Sequence, residues 1–209
     1  WKPPLTIDCH ATNGSVHRFA LTYDVPHTMA SGRIEPIAYM RDTLLPDVSA
    51  EVKKACGKDT FYYGNFVADE GGTGQGWMTY THHPRFGSNY RGLTNRLDLL
   101  LETYSYQSFE ERVAITYEFV KQTLQHVMRN ARKVLSVVEA SQLPPKQVAV
   151  RSKLEAWDGA VEILTREPRT LEGAPTSVRI PHLARFVGTV VVDRPFAYLL
   201  TEETAQHLE

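Results

Sequence analysis

The sequence predicts an α/β domain followed by a small β-rich module, and two observations support this fold class. Up to about Gln142, short apolar runs alternate with segments of helical periodicity, which is the pattern of an α/β fold. From Pro144 onward, short β-like runs are separated by turns that contain proline and glycine. We therefore expect one domain over residues 1–143 and a small β-rich module over residues 144–209.

The strands of the first domain are predicted by short apolar runs. They lie at residues 5–10, 61–63 and 97–103, and a shorter apolar segment at 77–80 follows a glycine-rich loop at 69–76. A helix is expected over residues 41–55, because its periodic pattern stops at Gly57. The run at 97–103 is apolar almost throughout, which is typical of a strand that is buried on both faces.

The longest predicted element is a helix that begins after Ser108. Ser108 and Glu111 match a capping box, in which the serine caps the first turn and the glutamate reaches back to it. The helix is expected to run to about Ala140, because Pro144 and Pro145 forbid its continuation. Apolar residues at spacings of three and four predict one buried face. Its members are Val113, Tyr117, Val120, Leu124, Val127 or Met128, Ala131, Leu135 and Val138.

The β-rich module is predicted from three apolar runs. They lie at residues 161–164, 178–180 and 186–192. Turns are expected at Glu167-Pro168, at Gly173-Ala174-Pro175 and at Asp193-Arg194-Pro195, because proline and glycine interrupt the pattern there.

The composition and charge of the chain exclude two classes of binding partner. The chain has 209 residues, 42% of them apolar and 22% charged, with 23 basic and 24 acidic side chains. A net charge of −1 provides no bulk positive field for nucleic acid or for an anionic membrane. The apolar runs are also far shorter than the roughly 18 to 20 residues that span a bilayer. We therefore expect neither nucleic acid nor a membrane among the partners.

Two residues at predicted strand ends are candidates for chemistry. His10 ends a strand and precedes a turn that contains Gly14, a position where α/β proteins often place ligands and metals. It is either a metal ligand or catalytic base, or a structural histidine with satisfied hydrogen bonds. Glu102 ends the run Leu99–Leu101, where a carboxylate is rare without a partner or a function. It is either paired with a nearby arginine (Arg85, Arg91 or Arg96) or a general base in a cleft.

The segment between these candidates, residues 84–96, is rich in arginine, asparagine and tyrosine and contains two glycines. Such a loop can offer a bidentate cation and a phenol to a ligand that bears a carboxylate. It is equally compatible with a structural loop held by hydrogen bonds.

Three strings in this order resemble a known family. DCHATNGSVH (8–17), PRFGSNYRGLTNRLDLLLETYSY (84–106) and SFEERV (108–113) are similar to motifs of the zinc carboxypeptidases of peptidase family M14, in their bacterial branch. The resemblance covers roughly residues 1–142, and the segment 194–200 resembles the stretch that follows the peptidase domain. It implies a partial mixed sheet with flanking helices. It also implies that His10 is a zinc ligand and Glu102 the general base, with Arg85 and Tyr90 as candidate substrate contacts.

The sequence departs from the family at one point. The family's other two zinc ligands belong to an HxxE motif upstream of the strand that carries His10, and no histidine in this chain is followed by glutamate three residues later. The resemblance therefore implies the C-terminal part of a carboxypeptidase domain, which is inactive by itself and holds an incomplete zinc site. The expected substrate is a peptide or an N-acyl amino acid, and the expected partner is a second copy or the missing half. The alternative is a noncatalytic peptide-binding or assembly module.

Overall fold

The computed structural model describes residues 2–67 and 76–202. In chain order the strands are β1 (Leu5–Thr12), β2 (Leu21–Asp24), β3 (Thr60–Tyr62), β4 (Asn65–Phe66), β5 (Trp77–Met78), β6 (Leu97–Tyr104), β7 (Gln147–Glu167) and β8 (Ala174–Asp193). The helices are α1 (Glu35–Tyr39), α2 (Leu45–Cys56), α3 (Gly87–Gly92), α4 (Phe109–Arg129) and α5 (Ala131–Ala140). A π-helical turn, Met40–Leu44, joins α1 to α2. Most of the predicted glycine-rich loop lies outside the described residues.

The described strands form two four-stranded mixed sheets, which confirms the α/β class in general terms. In the first sheet the order is β1-β6-β2-β3. The central strand β6 runs parallel to β1 and antiparallel to β2. In the second sheet the order is β4-β5-β8-β7, so strands from both sides of residue 143 share one sheet.

The main hydrophobic core lies between the first sheet and the helices. Strand β6 is buried along nearly its whole length, as its continuous apolar run predicts. Its side chains Leu97, Leu99 and Leu101 pack in one cluster with α2 and with α4. Among the described residues, no helix is long and apolar enough to cross a membrane.

The capping box at the start of α4 is confirmed. The Ser108 side chain accepts from the Glu111 N–H at 3.2 Å, and the Glu111 carboxylate accepts from the Ser108 N–H at 3.1 Å. The prediction of one uninterrupted helix to Ala140 is wrong. The chain leaves helical geometry at Asn130, whose backbone N–H and side-chain amide both donate to the His126 carbonyl. On α5, Val134 and Val138 are buried, so the predicted burial of Val138 is confirmed.

The predicted buried face of α4 is wrong at Val113, Tyr117 and Leu124, which are exposed, whereas Val120 and Val127 do pack against the core. Tyr117 is 67% exposed and Met128 is 78% exposed, whereas Phe119 is fully buried. The helix carries two apolar rows, and the row that contains Ile115 and Phe119 packs on the sheet. The ring of Phe119 lies 5.4 Å from that of Tyr23 on β2, so this contact selects the buried row.

The runs predicted after residue 144 are parts of two long strands. β7 and β8 pair antiparallel over almost their full length, with irregular register near Ala149 and Ala156. β8 also pairs with β5, which attaches this ribbon to the second sheet. A cluster built around Phe19, Trp77 and Ile163 fills the space beneath the ribbon.

Candidate functional site

The parallel pairing of β1 with β6 brings the two sequence candidates together. His10 lies opposite Glu102 in the register, and Asp8 lies opposite Leu100. Alternate residues of a strand share one face, so these four side chains point to the same side of the sheet. They border a cavity of about 300 Å³. Its walls are Asp8, His10, Tyr63, Tyr80, Phe86, Gly87, Ser88, Leu100 and Glu102.

Glu102 is half-buried and borders this cavity. Burial raises the pKa of its carboxyl group, while His10 opposes the shift and Asp8 reinforces it. None of the three arginines considered from the sequence forms an ion pair with Glu102 in the described part of the chain. Arg91 instead pairs with Asp8 and Asp98. A carboxylate with a raised pKa and no fixed cation is suited to accept a proton near neutral pH.

His10 also borders the cavity, and its side chain is 53% exposed. Its Nε2 atom lies 3.1 Å from Oδ1 of Asp8. No described residue bonds to its Nδ1 atom. The contact with Asp8 orients the ring and leaves one ring nitrogen available to a metal or to a substrate.

Asp8 is held in turn by Arg91, which α3 supplies. The Arg91 Nη2 atom donates to Oδ2 of Asp8 at 2.8 Å. Burial raises the pKa of Asp8, but the hydrogen bond from Arg91 and the charge of His10 outweigh burial, so the pKa of Asp8 is lowered. Asp8 is therefore anionic at neutral pH and connects His10 to α3.

Arg91 is anchored at its other end by Asp98 on β6. The Nε atom of Arg91 donates to the Asp98 carboxylate, which is almost fully buried. Burial raises the pKa of Asp98 to about 6, and the bonded guanidinium opposes this shift. A Cβ atom at Gly87 would lie 3.0 Å from Nη1 of Arg91 and 3.4 Å from Oδ2 of Asp8, so glycine at that position leaves room for the ion pair.

Sequence reasoning missed the two phenols of the cavity, Tyr63 and Tyr80. Burial raises the pKa of Tyr80 well above its usual value, so its hydroxyl group is a donor and not an anion. The Tyr80 ring packs 4.5 Å from that of His27, which lies within 2.9 Å of the Thr79 hydroxyl. No sequence signal marks either tyrosine, because each comes just after a short strand and reaches the cavity only through the fold.

The two predicted substrate contacts lie outside the cavity walls. Arg85 is exposed, and its guanidinium carbon sits 5.0 Å from the centre of the Phe86 ring, which does border the cavity. Tyr90 is 66% exposed on α3. The roles of both residues stay predictions.

Zinc is the metal that the resemblance implies at this site. The side chains present can be compared with the ligands that a zinc ion requires. Across residues 2–67 and 76–202, no group of three or more His, Cys, Asp or Glu side chains is placed to hold a metal ion. His10, with one ring nitrogen held by Asp8 and the other unbonded, fits a single position of such a site. The described residues do not complete a zinc cage by themselves.

Comparisons with known proteins found no similar protein. No family model matches the sequence, and neither a curated protein nor a solved structure matches it.

Proposed function

We propose that this chain supplies Glu102 as the general base, and His10 as one metal-binding imidazole, of an M14-like zinc carboxypeptidase site. One observation carries the proposal. The two residues are 92 positions apart in the motifs of the resemblance, and the β1–β6 register places them directly opposite each other beside one cavity. Strand register depends on packing along the whole strand, so the motifs alone do not give this adjacency.

Glu102 has the environment that proton transfer requires. Burial raises its pKa toward the working pH, where a base accepts and returns a proton most effectively. In the proposed reaction, Glu102 takes a proton from the attacking water and delivers it to the leaving amine. Zinc, when bound, would polarise the scissile carbonyl and acidify that water.

Asp8 and Arg91 act as positioning residues in this proposal. Asp8 fixes the imidazole of His10 through Nε2, and Arg91 fixes Asp8. A liganding histidine commonly depends on such a carboxylate. Because one imidazole does not make a catalytic zinc site, the remaining ligands would come from outside the described residues.

The proposed substrate is an amide with a nearby carboxylate, such as a C-terminal peptide bond, an N-acyl amino acid or a cell-wall peptide. The cavity wall includes three residues that carry hydroxyl groups, Tyr63, Tyr80 and Ser88, together with Phe86. Such a wall suits a group that is partly polar and partly apolar.

The test is to express the complete reading frame that encodes this chain and to assay release of the C-terminal residue from acyl-dipeptides. Glu102→Gln should retain zinc, measured by atomic emission, and should lower kcat about 10²- to 10⁴-fold, because it removes the proton acceptor and keeps its shape. The matched control is Glu139→Gln, at an exposed position on α5, which should change neither value. Near-normal turnover in Glu102→Gln, or a reading frame without HxxE, would refute the proposal.

A second candidate function is assembly with another copy of the chain, and an exposed apolar row on α4 favours it. Phe109, Val113 and Tyr117 are each at least 50% exposed at four-residue spacing. This row could equally accept the missing half of the domain, which is the other partner implied by the resemblance.

Light scattering of the purified chain distinguishes these outcomes. Self-association through the row predicts a dimer that Tyr117→Lys dissociates, because a charge within the apolar contact is costly to bury. The control Lys133→Ala, at an exposed position on α5, should leave the dimer intact. A monomer at high protein concentration would contradict self-association.

A further inference from the structure

A second cavity lies where the β7–β8 ribbon meets the first sheet. Its volume is about 500 Å³, and its walls include residues from the ribbon and from the loops that flank β2. Both walls are fixed by hydrogen bonds: the Arg18 N–H donates to the Leu164 carbonyl at 2.9 Å, and the Thr165 hydroxyl donates to the Val16 carbonyl at 2.7 Å. The cavity is therefore preformed.

Two arginines in these walls have no carboxylate partner among the described residues. The guanidinium of Arg18 makes no hydrogen bond or ion pair with any described residue, and its Nε atom is buried. The guanidinium of Arg166 donates to one backbone carbonyl, that of Gly173, at 2.8 Å. A buried or half-buried cation without an anion is unfavourable, because solvation is lost without compensation.

The acidic side chains of the same cavity are already engaged. Asp59 pairs with Lys53 at 2.7 Å. Glu111 accepts from the Ser108 N–H in the capping box and lies 3.5 Å from Lys58. Neither carboxylate neutralises the arginines, so the cavity keeps an excess of positive charge.

The buried imidazole of His17 provides an uncharged hydrogen-bond donor in the wall of this cavity. It is 3% exposed, and burial lowers its pKa to about 4, so its ring is uncharged at neutral pH. Its Nδ1 atom accepts from the Phe19 N–H at 3.2 Å. The ring proton must then reside on Nε2, and no described residue accepts it. The ring is held flat against Tyr104, with centroids 4.1 Å apart.

We propose that this cavity binds an organic anion through a carboxylate or phosphate group. The guanidinium groups of Arg18 and Arg166 pair with the charged oxygens, which the planar fork of arginine fits in a bidentate manner. The Nε2–H of His17 donates to the same group. Leu171 and Pro175 lie in the wall beside them and contact the carbon skeleton of the ligand. The volume exceeds what an inorganic ion would fill, which favours an organic anion. This inference does not depend on the proposed peptidase function.

Calorimetry with the whole chain tests the proposal. The probes are glutarate for the carboxylate source, glycerol phosphate for the phosphate source, and inorganic phosphate as the ion without a carbon skeleton. One organic probe should bind more tightly than inorganic phosphate, and its affinity should fall as salt is added. Arg18→Gln and Arg166→Gln should each weaken it about tenfold or more, because each removes a charge-assisted hydrogen bond.

The control is Arg132→Gln, which removes the same charge from an exposed position on α5 and should leave affinity unchanged. Arg18→Gln is the decisive variant, because its side chain makes no bond within the described chain and its loss should not impair folding; circular dichroism checks this. The proposal is overturned if no organic probe binds, if inorganic phosphate binds best, or if Arg132→Gln weakens binding as much as Arg18→Gln does.

Discussion

The choice between the two apolar rows of α4 can be tested by a pair of substitutions two residues apart. The periodic pattern of the sequence places Tyr117 in the buried row, whereas the structure buries Phe119 completely and leaves Tyr117 67% exposed. Each is replaced by alanine, so both variants lose an aromatic ring at an interior position of the same helix. Any difference between them reports burial and not helix propensity.

The expected magnitude follows from the contacts of Phe119. Removing a fully buried phenylalanine costs about 3–5 kcal/mol, and the ring contact with Tyr23 at 5.4 Å places Phe119 at the upper end of that range. The better helix propensity of alanine returns roughly 0.5 kcal/mol. Tyr117→Ala removes an exposed ring and should change the free energy of unfolding by less than about 0.5 kcal/mol.

Urea unfolding followed by circular dichroism measures both values, and it should be repeated at several protein concentrations. A concentration-dependent loss in Tyr117→Ala would indicate that the exposed row forms a contact between copies. The reasoning is refuted if Tyr117→Ala at low concentration costs more than Phe119→Ala, because the buried row would then be the one that the sequence pattern predicts.

Three further predictions concern the cap, the buried histidines and the metal. Ser108→Ala should cost about 1 kcal/mol of stability in urea unfolding, whereas Ser136→Ala at an exposed position of α5 should cost nothing. Burial lowers the pKa of both His17 and His182 to about 4 from 6.5, so the unfolded chain binds more protons than the folded chain between these values. The free energy of unfolding should therefore fall as the pH decreases through this window, by up to roughly 3 kcal/mol for each imidazole. In the double variant His17→Phe/His182→Phe, the free energy of unfolding should depend less steeply on pH. Zinc should bind the chain only weakly, because one imidazole does not form a cage; submicromolar affinity by calorimetry that is lost in His10→Ala would contradict this.

Features that depend on nearby residues were predictable from the sequence. The capping box at Ser108 needs only a partner three residues away, so its pattern appears directly in the chain. Strand β6 shows its burial on both faces as an unbroken apolar run. Glu102 could be selected as a candidate because it ends an apolar run with a residue that is costly to bury, and His10 because it precedes a turn that contains Gly14. In the structure each lies two residues before the end of its strand.

Features that depend on residues far apart in the chain were not predictable from the sequence. The apolar row of α4 that is buried is selected by the contact of Phe119 with Tyr23 on β2, which no local pattern in the sequence shows. The three short runs of the ribbon merge into two strands, since pairing of β7 with β8 supplies hydrogen bonds to residues that have no strand pattern of their own.

The sequence by itself determined the α/β class, the start of α4 and the residue types available for chemistry. Only the tertiary structure decided which of these side chains lie together. It places His10 opposite Glu102, and it forms the ion pair between Asp8 and Arg91, which are 83 positions apart. The physical reason is that local propensity acts over a few residues along the chain. Strand register and helix facing are set by the packing of whole surfaces, and no single segment encodes that packing.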